Sequence, residues 1–361
     1  MLTKEREKLF KDLTQAAGVS GFEDEIRDVI KGYLPNNVKI DYDNTGSLLV
    51  TKPGLSSHPK IMLSAHMDEV GFMVSRISEE GFIYFAPVGM WWPHIMLAQR
   101  VVIKSKQGDV PGFIGAKPPH LLSPDDQKKM QDIHEMFIDI GAADEKEARE
   151  VFGVRPGDAV VPDAHYKAMK NPKLLMAKAW DNRVGCALYL ELIKAFSEED
   201  HPNTLVFSFT TQEEVGLRGA ETAAAAVQPD ACLVFDGCIA NDFPGVRKSE
   251  LPVALGEGAN LIIMDRSHIP NKKMRDFAFS VAEEQEIPLQ PATLLGAGTD
   301  TGKILLHDKG VPSVALGVPR RYTHSHTSII HYDDYENTFL LHMALIQRMN
   351  EEMVKSFTDF S

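Results

Sequence analysis

Leu205-Val206-Phe207-Ser208-Phe209-Thr210 is an apolar run interrupted by a single serine, and Thr211-Gln212-Glu213-Glu214 follows it at once. A short run with no alternating polar face suits a strand buried on both sides, as in a parallel sheet covered by helices. Downstream, Gly219–Val227 reads as a helix, Ala231–Phe235 as a strand, Lys272–Glu286 as a helix, Ser313–Val318 as a strand and Glu336–Asn350 as a closing helix. Upstream, Lys60-Ile61-Met62-Leu63-Ser64-Ala65 is a second apolar strand, ending in His66. Before it come a hairpin around Asp43-Asn44-Thr45-Gly46 and two helices. The first carries Leu9, Phe10, Leu13 and Ala17 at helical spacing; the second, Glu23 to Leu34, is acidic in its first turn and stops at Pro35. Strand–helix alternation of this kind predicts an α/β fold: a mixed sheet with helices on both faces.

The texture changes between Val70 and Pro162. Gly71–Val74, Phe82–Phe85, Arg100–Lys104, Gly112–Ala116 and Met136–Ile140 are short runs punctuated by Gly and Pro. That pattern predicts a small β-rich module of the barrel or sandwich kind. The 361 residues exceed the roughly 100–200 of one ordinary domain. The expected organisation is a discontinuous domain of residues 1–69 and 163–361, interrupted by a β-rich insertion of residues 70–162.

Composition narrows the function. The chain carries 38 basic against 51 acidic residues, a net charge of −13. That disfavours nucleic acid and anionic membrane surfaces, both of which require a basic face. No apolar run approaches the ~18 residues of a spanning helix. The start, Met1-Leu2-Thr3-Lys4-Glu5-Arg6, alternates charges where a signal peptide is apolar. Three cysteines, Cys186, Cys232 and Cys238, are too few for a disulfide framework. The expectation is a soluble cytoplasmic enzyme.

Acids and histidines gather where the strands end, and in an open α/β sheet that edge is where ligands bind. His66 and Asp68 are two apart, so on an extended segment they share a side, with the carboxylate placed to hold the imidazole in one tautomer. Glu213 and Glu214 are adjacent carboxylates at the end of a buried strand, which is costly unless a cation or proton is shared. A metal held by one, with the other as general base, resolves that conflict. Asp236 ends the buried run Cys232–Phe235 and needs a partner. Asp181 precedes a helix that begins near Val184, so helix N-cap and ligand both stand open for it. Of His324 and His326, one is expected at the site and the other elsewhere. Cys232 reads as core filler. Gly296-Ala297-Gly298-Thr299-Asp300-Thr301-Gly302 lacks a nucleotide fingerprint and reads as a substrate-side loop.

The ordered set His66-Met67-Asp68-Glu69-Val70-Gly71, Trp180-Asp181-Asn182-Arg183, Gln212-Glu213-Glu214-Val215-Gly216, Asp236 and Arg321-Tyr322-Thr323-His324-Ser325 resembles the glutamyl, or deblocking, aminopeptidases. These are cytosolic two-metal enzymes that form tetrahedral particles, and the resemblance spans nearly the whole chain. It implies a zinc-aminopeptidase-like fold with a small barrel-like inserted domain used for dimerisation, and a homo-oligomer, a dodecamer. It implies two divalent ions (Zn, Co or Mn) bridged by Asp181, one completed by His66 and Asp236 and the other by Glu214 and His324. Glu213 is then the general base, and Asp68 orients His66. Short peptides are the implied substrates.

The run departs from the family pattern at Gly256-Glu257-Gly258 and at Arg320. Arg320, four residues before His324, is a candidate to receive an acidic N-terminal side chain (Glu or Asp), with Arg266 and Lys303 more distant ones. Trp91-Trp92 in the insertion reads as core or subunit contact, and the resemblance implies burial between subunits. The competing enzymatic class is glycoside hydrolysis, a glucanase-like reaction pairing Glu213 or Glu214 with Asp181 or Asp236 and needing no metal.

Overall fold

The computed structural model describes residues 2–246 and 253–361. An eight-stranded sheet runs from the hairpin Lys39–Tyr42 and Leu48–Lys52 through Thr204–Thr210, Lys60–His66, Ala231–Phe235, Ser313–Gly317 and Ala259–Asp265 to Leu289–Leu294. Its four central strands, from Thr204–Thr210 to Ser313–Gly317, are mutually parallel. The antiparallel hairpin and the antiparallel Ala259–Asp265 strand make the sheet mixed.

Side chains alternate along each strand, and the sheet has a helical layer for each face. Leu63, Phe207, Leu233 and Leu316 share one core with Leu13, Leu188, Val281 and Leu345 from helices Lys4–Gln15, Trp180–Ala195, Lys272–Glu284 and Tyr332–Arg348. Met62, Val206, Cys232 and Ala315 face the other way, onto Ala220, Ala223 and Ala224 of helix Arg218–Val227. This two-sided burial is why the strands read as continuous apolar runs rather than alternating ones.

The closing helix differs from its expected bounds. It begins at Tyr332, where the His331 side chain accepts the Asp333 N–H and Asp333 and Asp334 lie in the first turn. It ends at Arg348, and Asn350 caps a separate helix, Glu351–Phe357.

Six strands, Gly71–Ile77, Ile83–Val88, Arg100–Ser105, Gly108–Gly115, Phe137–Asp139 and Ala159–Pro162, close into a barrel with its own core. Trp91 belongs to that core, stacked on Phe72 with ring centroids 4.6 Å apart. Trp91 is therefore unavailable to a neighbouring subunit, a correction to the expected aromatic pair. Trp92 is 58% and Met90 62% exposed. The barrel begins directly after the His66–Val70 segment, and its Gly89 packs close to Glu214.

Candidate metal centre

Each central parallel strand delivers a candidate residue from its carboxyl end. Lys60–His66 ends in His66, with Asp68 two residues on. Thr204–Thr210, whose Thr210 pairs with His66, leads to Glu213 and Glu214. Ala231–Phe235 leads to Asp236, and Ser313–Gly317 to the loop that carries Arg320 and His324. Asp181 arrives from the opening of helix Trp180–Ala195, which packs on the His66 strand. Three of these segments contain non-glycine residues in the left-handed region: Ala179 (φ 54°), Gln212 (φ 54°), Tyr322 (φ 62°) and His324 (φ 55°). Such conformations are costly and collect at functional sites, where the surrounding fold enforces them.

Asp181 stands between the two histidines. Its Oδ1 is 3.2 Å from His66 Nε2 and its Oδ2 3.6 Å from His324 Nε2. His324 Nε2 is also 3.2 Å from Glu214 Oε2, and His66 Nε2 is 3.9 Å from Glu213 Oε2. Asp181 and Asn182 are themselves non-helical at the opening of that helix. Donor atoms of His66, Asp181 and Glu214 lie within 4.8 Å of one another, as do those of His66, Glu213 and Asp236. All seven candidates, His66, Asp68, Asp181, Glu213, Glu214, Asp236 and His324, thus meet at one place.

Asp68, fully buried, accepts hydrogen bonds from the Glu213 N–H at 3.0 Å, the Glu214 N–H at 3.2 Å and Ser20 Oγ at 2.6 Å. His66 Nδ1 lies 3.2 Å from the Asp68 backbone oxygen and 3.4 Å from its carboxylate, so two acceptors fix the ring. Burial, with the charges of Glu214, Asp236 and Asp300, pushes Glu213 well above the usual carboxylate range, against His66. Burial and Asp181 raise Asp236 to about 7, against Arg320. Burial opposes a charge on His324, yet Glu214 and Asp181 raise it to about 11. The cluster thus demands positive charge at the points where the imidazoles face the carboxylates. Glu214 Oε1 is buried with no hydrogen-bond partner among the described residues. Mixed nitrogen and oxygen donors, an orphaned carboxylate oxygen and excess negative charge fit a divalent ion of the zinc, cobalt or manganese type.

Arg320 is the main correction. It is 3% exposed, and its guanidinium lies 2.8 Å from Asp181 Oδ1 and 2.9 Å from Asp236 Oδ1. Nη2 donates to Asp236, and Nη1 lies beside Asp181 without a hydrogen bond, so the buried guanidinium faces the centre's own carboxylates rather than a substrate carboxylate. Lys303 pairs with Glu221 at 2.8 Å, away from any such role. His326 does not join the centre: it packs against Trp91 of the barrel, ring centroids 5.2 Å apart, and burial lowers it to about 4. The three cysteines are free and buried.

Two supports were not visible as such in the sequence. Asp300, at the end of the glycine-rich tract, is 2% exposed. Its Oδ2 accepts from Ser64 Oγ at 3.0 Å and Thr210 Oγ1 at 2.6 Å, tying together the strands that end at His66 and lead to Glu213. Asp300 is therefore a brace beneath the centre, while Gly296 at the start of the tract is exposed. Glu69 receives Lys178 at 2.7 Å and 2.8 Å and lies 3.4 Å from Arg183, all three buried. Lys178 and Arg183 flank Asp181 in sequence, so this ionic triad anchors the Asp181 segment to the His66 segment. An acid directly after His-Met-Asp and two bases around Asp181 were the available signal.

Comparison with known proteins places this geometry. Residues 46–341 match the family described as M42 glutamyl aminopeptidase. A TET aminopeptidase structure from the marine sediment archaeon Thaumarchaeota archaeon SCGC AB-539-E09 is 41% identical, covers 98% of this chain and 99% of that one, and superposes with a TM-score of 0.96. The Pyrococcus horikoshii TET1 peptidase, described as assembling into a tetrahedron or a large octahedral shell, is 30% identical over 95% of this chain and 100% of its own, with a TM-score of 0.84. The lysyl aminopeptidase of Pyrococcus furiosus is 31% identical over 352 residues, 95% of this chain and 97% of its own. With four-fifths of its length matched and the same sheet and barrel arrangement, the chain belongs to the M42 glutamyl aminopeptidase family.

Proposed function

We propose that this chain is a cytoplasmic two-metal aminopeptidase that removes N-terminal residues from short peptides. The observation that carries the reading is the two-sided contact of Asp181, one oxygen toward His66 and the other toward His324. Asp181 would bridge two divalent ions, with His66 and Asp236 completing one site and Glu214 and His324 the other. Bound there, the ions would polarise the scissile carbonyl and acidify the attacking water. Glu213 Oε2, buried and raised in proton affinity, would take the proton from the attacking water and pass it to the leaving amine. Asp68 fixes both ends of this apparatus, holding the His66 ring and the amides of Glu213 and Glu214.

The glycosidase alternative is not favoured: two histidines are wedged among its carboxylates, and the matching family is one of aminopeptidases, although one similar structure, from Thermotoga maritima, is named an endoglucanase. The reason for an acidic N-terminal preference goes with Arg320, and relatives with glutamyl and lysyl names support a preference that varies within the family. We further propose that residues 70–162 form the dimerisation unit of a homo-oligomer, a dodecamer. Support comes from the exposed Met90 and Trp92 and from the TET-like relatives. Among the described residues no helix is long and apolar enough to cross a membrane.

The test is hydrolysis of Glu-, Lys- and Leu-anilides before and after chelation. Hydrolysis that chelation abolishes and a divalent ion restores is expected. Activity that survives chelation intact contradicts the reading.

A further inference from the structure

Arg320 brings a permanent positive charge into the centre, and it does so on one side only. Its Nη1 faces Asp181 Oδ1, the oxygen that also faces His66, and its Nη2 donates to Asp236 Oδ1 and to the Gly237 carbonyl at 3.0 Å. The position is fixed by backbone as well: the Arg320 N–H donates to the Cys238 carbonyl, and the Arg320 carbonyl accepts from the Ala240 N–H, both at 2.8 Å. Gly237 itself is held against the neighbouring strand's end, where a Cβ would meet the Val318 carbonyl oxygen at 2.0 Å. The other half of the centre has no such occupant among the described residues. Asp181 Oδ2 and Glu214 Oε2 face only His324, and Glu214 Oε1 is unpartnered.

A guanidinium keeps its proton at any working pH, so the positive charge at Arg320 is permanent. The two halves therefore differ toward a divalent ion. On the His324 side no fixed cation stands among the donor atoms of the described residues. On the His66 side the ion must share Asp181 Oδ1 and Asp236 Oδ1 with a fixed cation a few ångströms away, in a buried site where repulsion is poorly screened.

We propose that Arg320 is a resident counter-cation that orders metal loading: the first ion enters at Asp181–Glu214–His324, and the His66–Asp236 side binds a second, weaker and more exchangeable ion. At limiting metal the chain then holds one ion, and occupancy of the second follows metal supply. This rests on the two-ion function proposed above and goes beyond it in assigning unequal affinities and their cause.

The experiment is calorimetric titration of the chelator-stripped, full-length protein with Co²⁺, in wild type, Arg320→Met, Arg320→Lys and His324→Ala. Wild type should show two steps, the second weaker by about tenfold or more. Arg320→Met should tighten the weak step by a similar factor while the tight step stays, and Arg320→Lys should restore the separation. His324→Ala should abolish the tight step and leave the weak one. Two equal steps in wild type, or a weak step that Arg320→Met leaves unchanged, overturn the inference while the two-ion function stands. Wild type that binds no Co²⁺ removes both. Should Arg320→Met fail to fold, His324→Ala alone decides, because survival of the tight step in that variant places the first ion on the Arg320 side and overturns the order.

Discussion

The carboxylate of Asp68 accepts the backbone N–H of Glu213 at 3.0 Å. The same carboxylate lies 3.4 Å from His66 Nδ1, so one buried group sets both the imidazole and the start of the acidic pair. Asp68→Asn keeps the shape but removes the charge and one acceptor oxygen. Loss of such a supporting group typically costs about 10-fold to 100-fold in metal affinity or activity. The expected result is a fall of that size in kcat/KM, part of it recovered at high metal concentration. A variant as active as wild type at limiting metal would show that Asp68 is packing and nothing more.

Glu213→Gln tests the base. The side chain keeps its volume and loses its proton acceptor, so kcat should drop by about 10²-fold to 10⁴-fold. Metal content should stay at the wild-type level, because the donor set assigned to the ions is untouched. Glu213 is also within reach of His66. A variant that loses metal along with activity would therefore make Glu213 a ligand.

Glu23 offers a prediction in stability rather than rate. It is 3% exposed, and burial together with the nearby Asp68 raises it from its ordinary 4.5 to about 7. Between those pH values the folded chain holds a proton that the unfolded chain has released, so stability falls as pH rises through that window. Its Oε1 accepts the Gly21 and Gln212 N–H groups at 2.8 Å and 3.1 Å, and glutamine retains that oxygen. Glu23→Gln should therefore melt at a higher temperature than wild type above pH 7, with a gain on the order of 3 kcal/mol that vanishes near pH 4.5. Melting curves across pH 4.5–8 are the measurement; a constant offset between the two proteins would rule the titration out.

Met90 and Trp92 carry the proposed subunit contact. Wild type should sediment as a closed homo-oligomer at micromolar concentration, and Trp92→Glu should shift it to smaller species without unfolding it. A monomeric wild type would contradict the assembly.

The sheet was legible because its strands are buried on both faces, and Leu205–Thr210 and Cys232–Phe235 advertise this by their composition. The candidate residues were legible for a related reason: a carboxylate or histidine directly after such a run has little water to turn to. Arg320 was misjudged because nothing in the sequence near it reveals that Asp181 and Asp236, distant by 139 and 84 positions in the chain, converge on its side chain. Asp300 was hidden in the same way, since Ser64 and Thr210 meet it only when their strands pair. Trp91 and Trp92 are adjacent in sequence yet divide between core and surface, a distinction set by the barrel's closure on Phe72.

The central claim is that Asp181 holds two ions at once. Metal content per chain, measured for wild type, Asp181→Ala and Cys232→Ser at equilibrium with excess Zn²⁺, tests it most directly. Wild type and Cys232→Ser should retain about two ions, and Asp181→Ala should retain essentially none, because a bridging carboxylate serves both sites. An Asp181→Ala variant that keeps the full complement would contradict the claim.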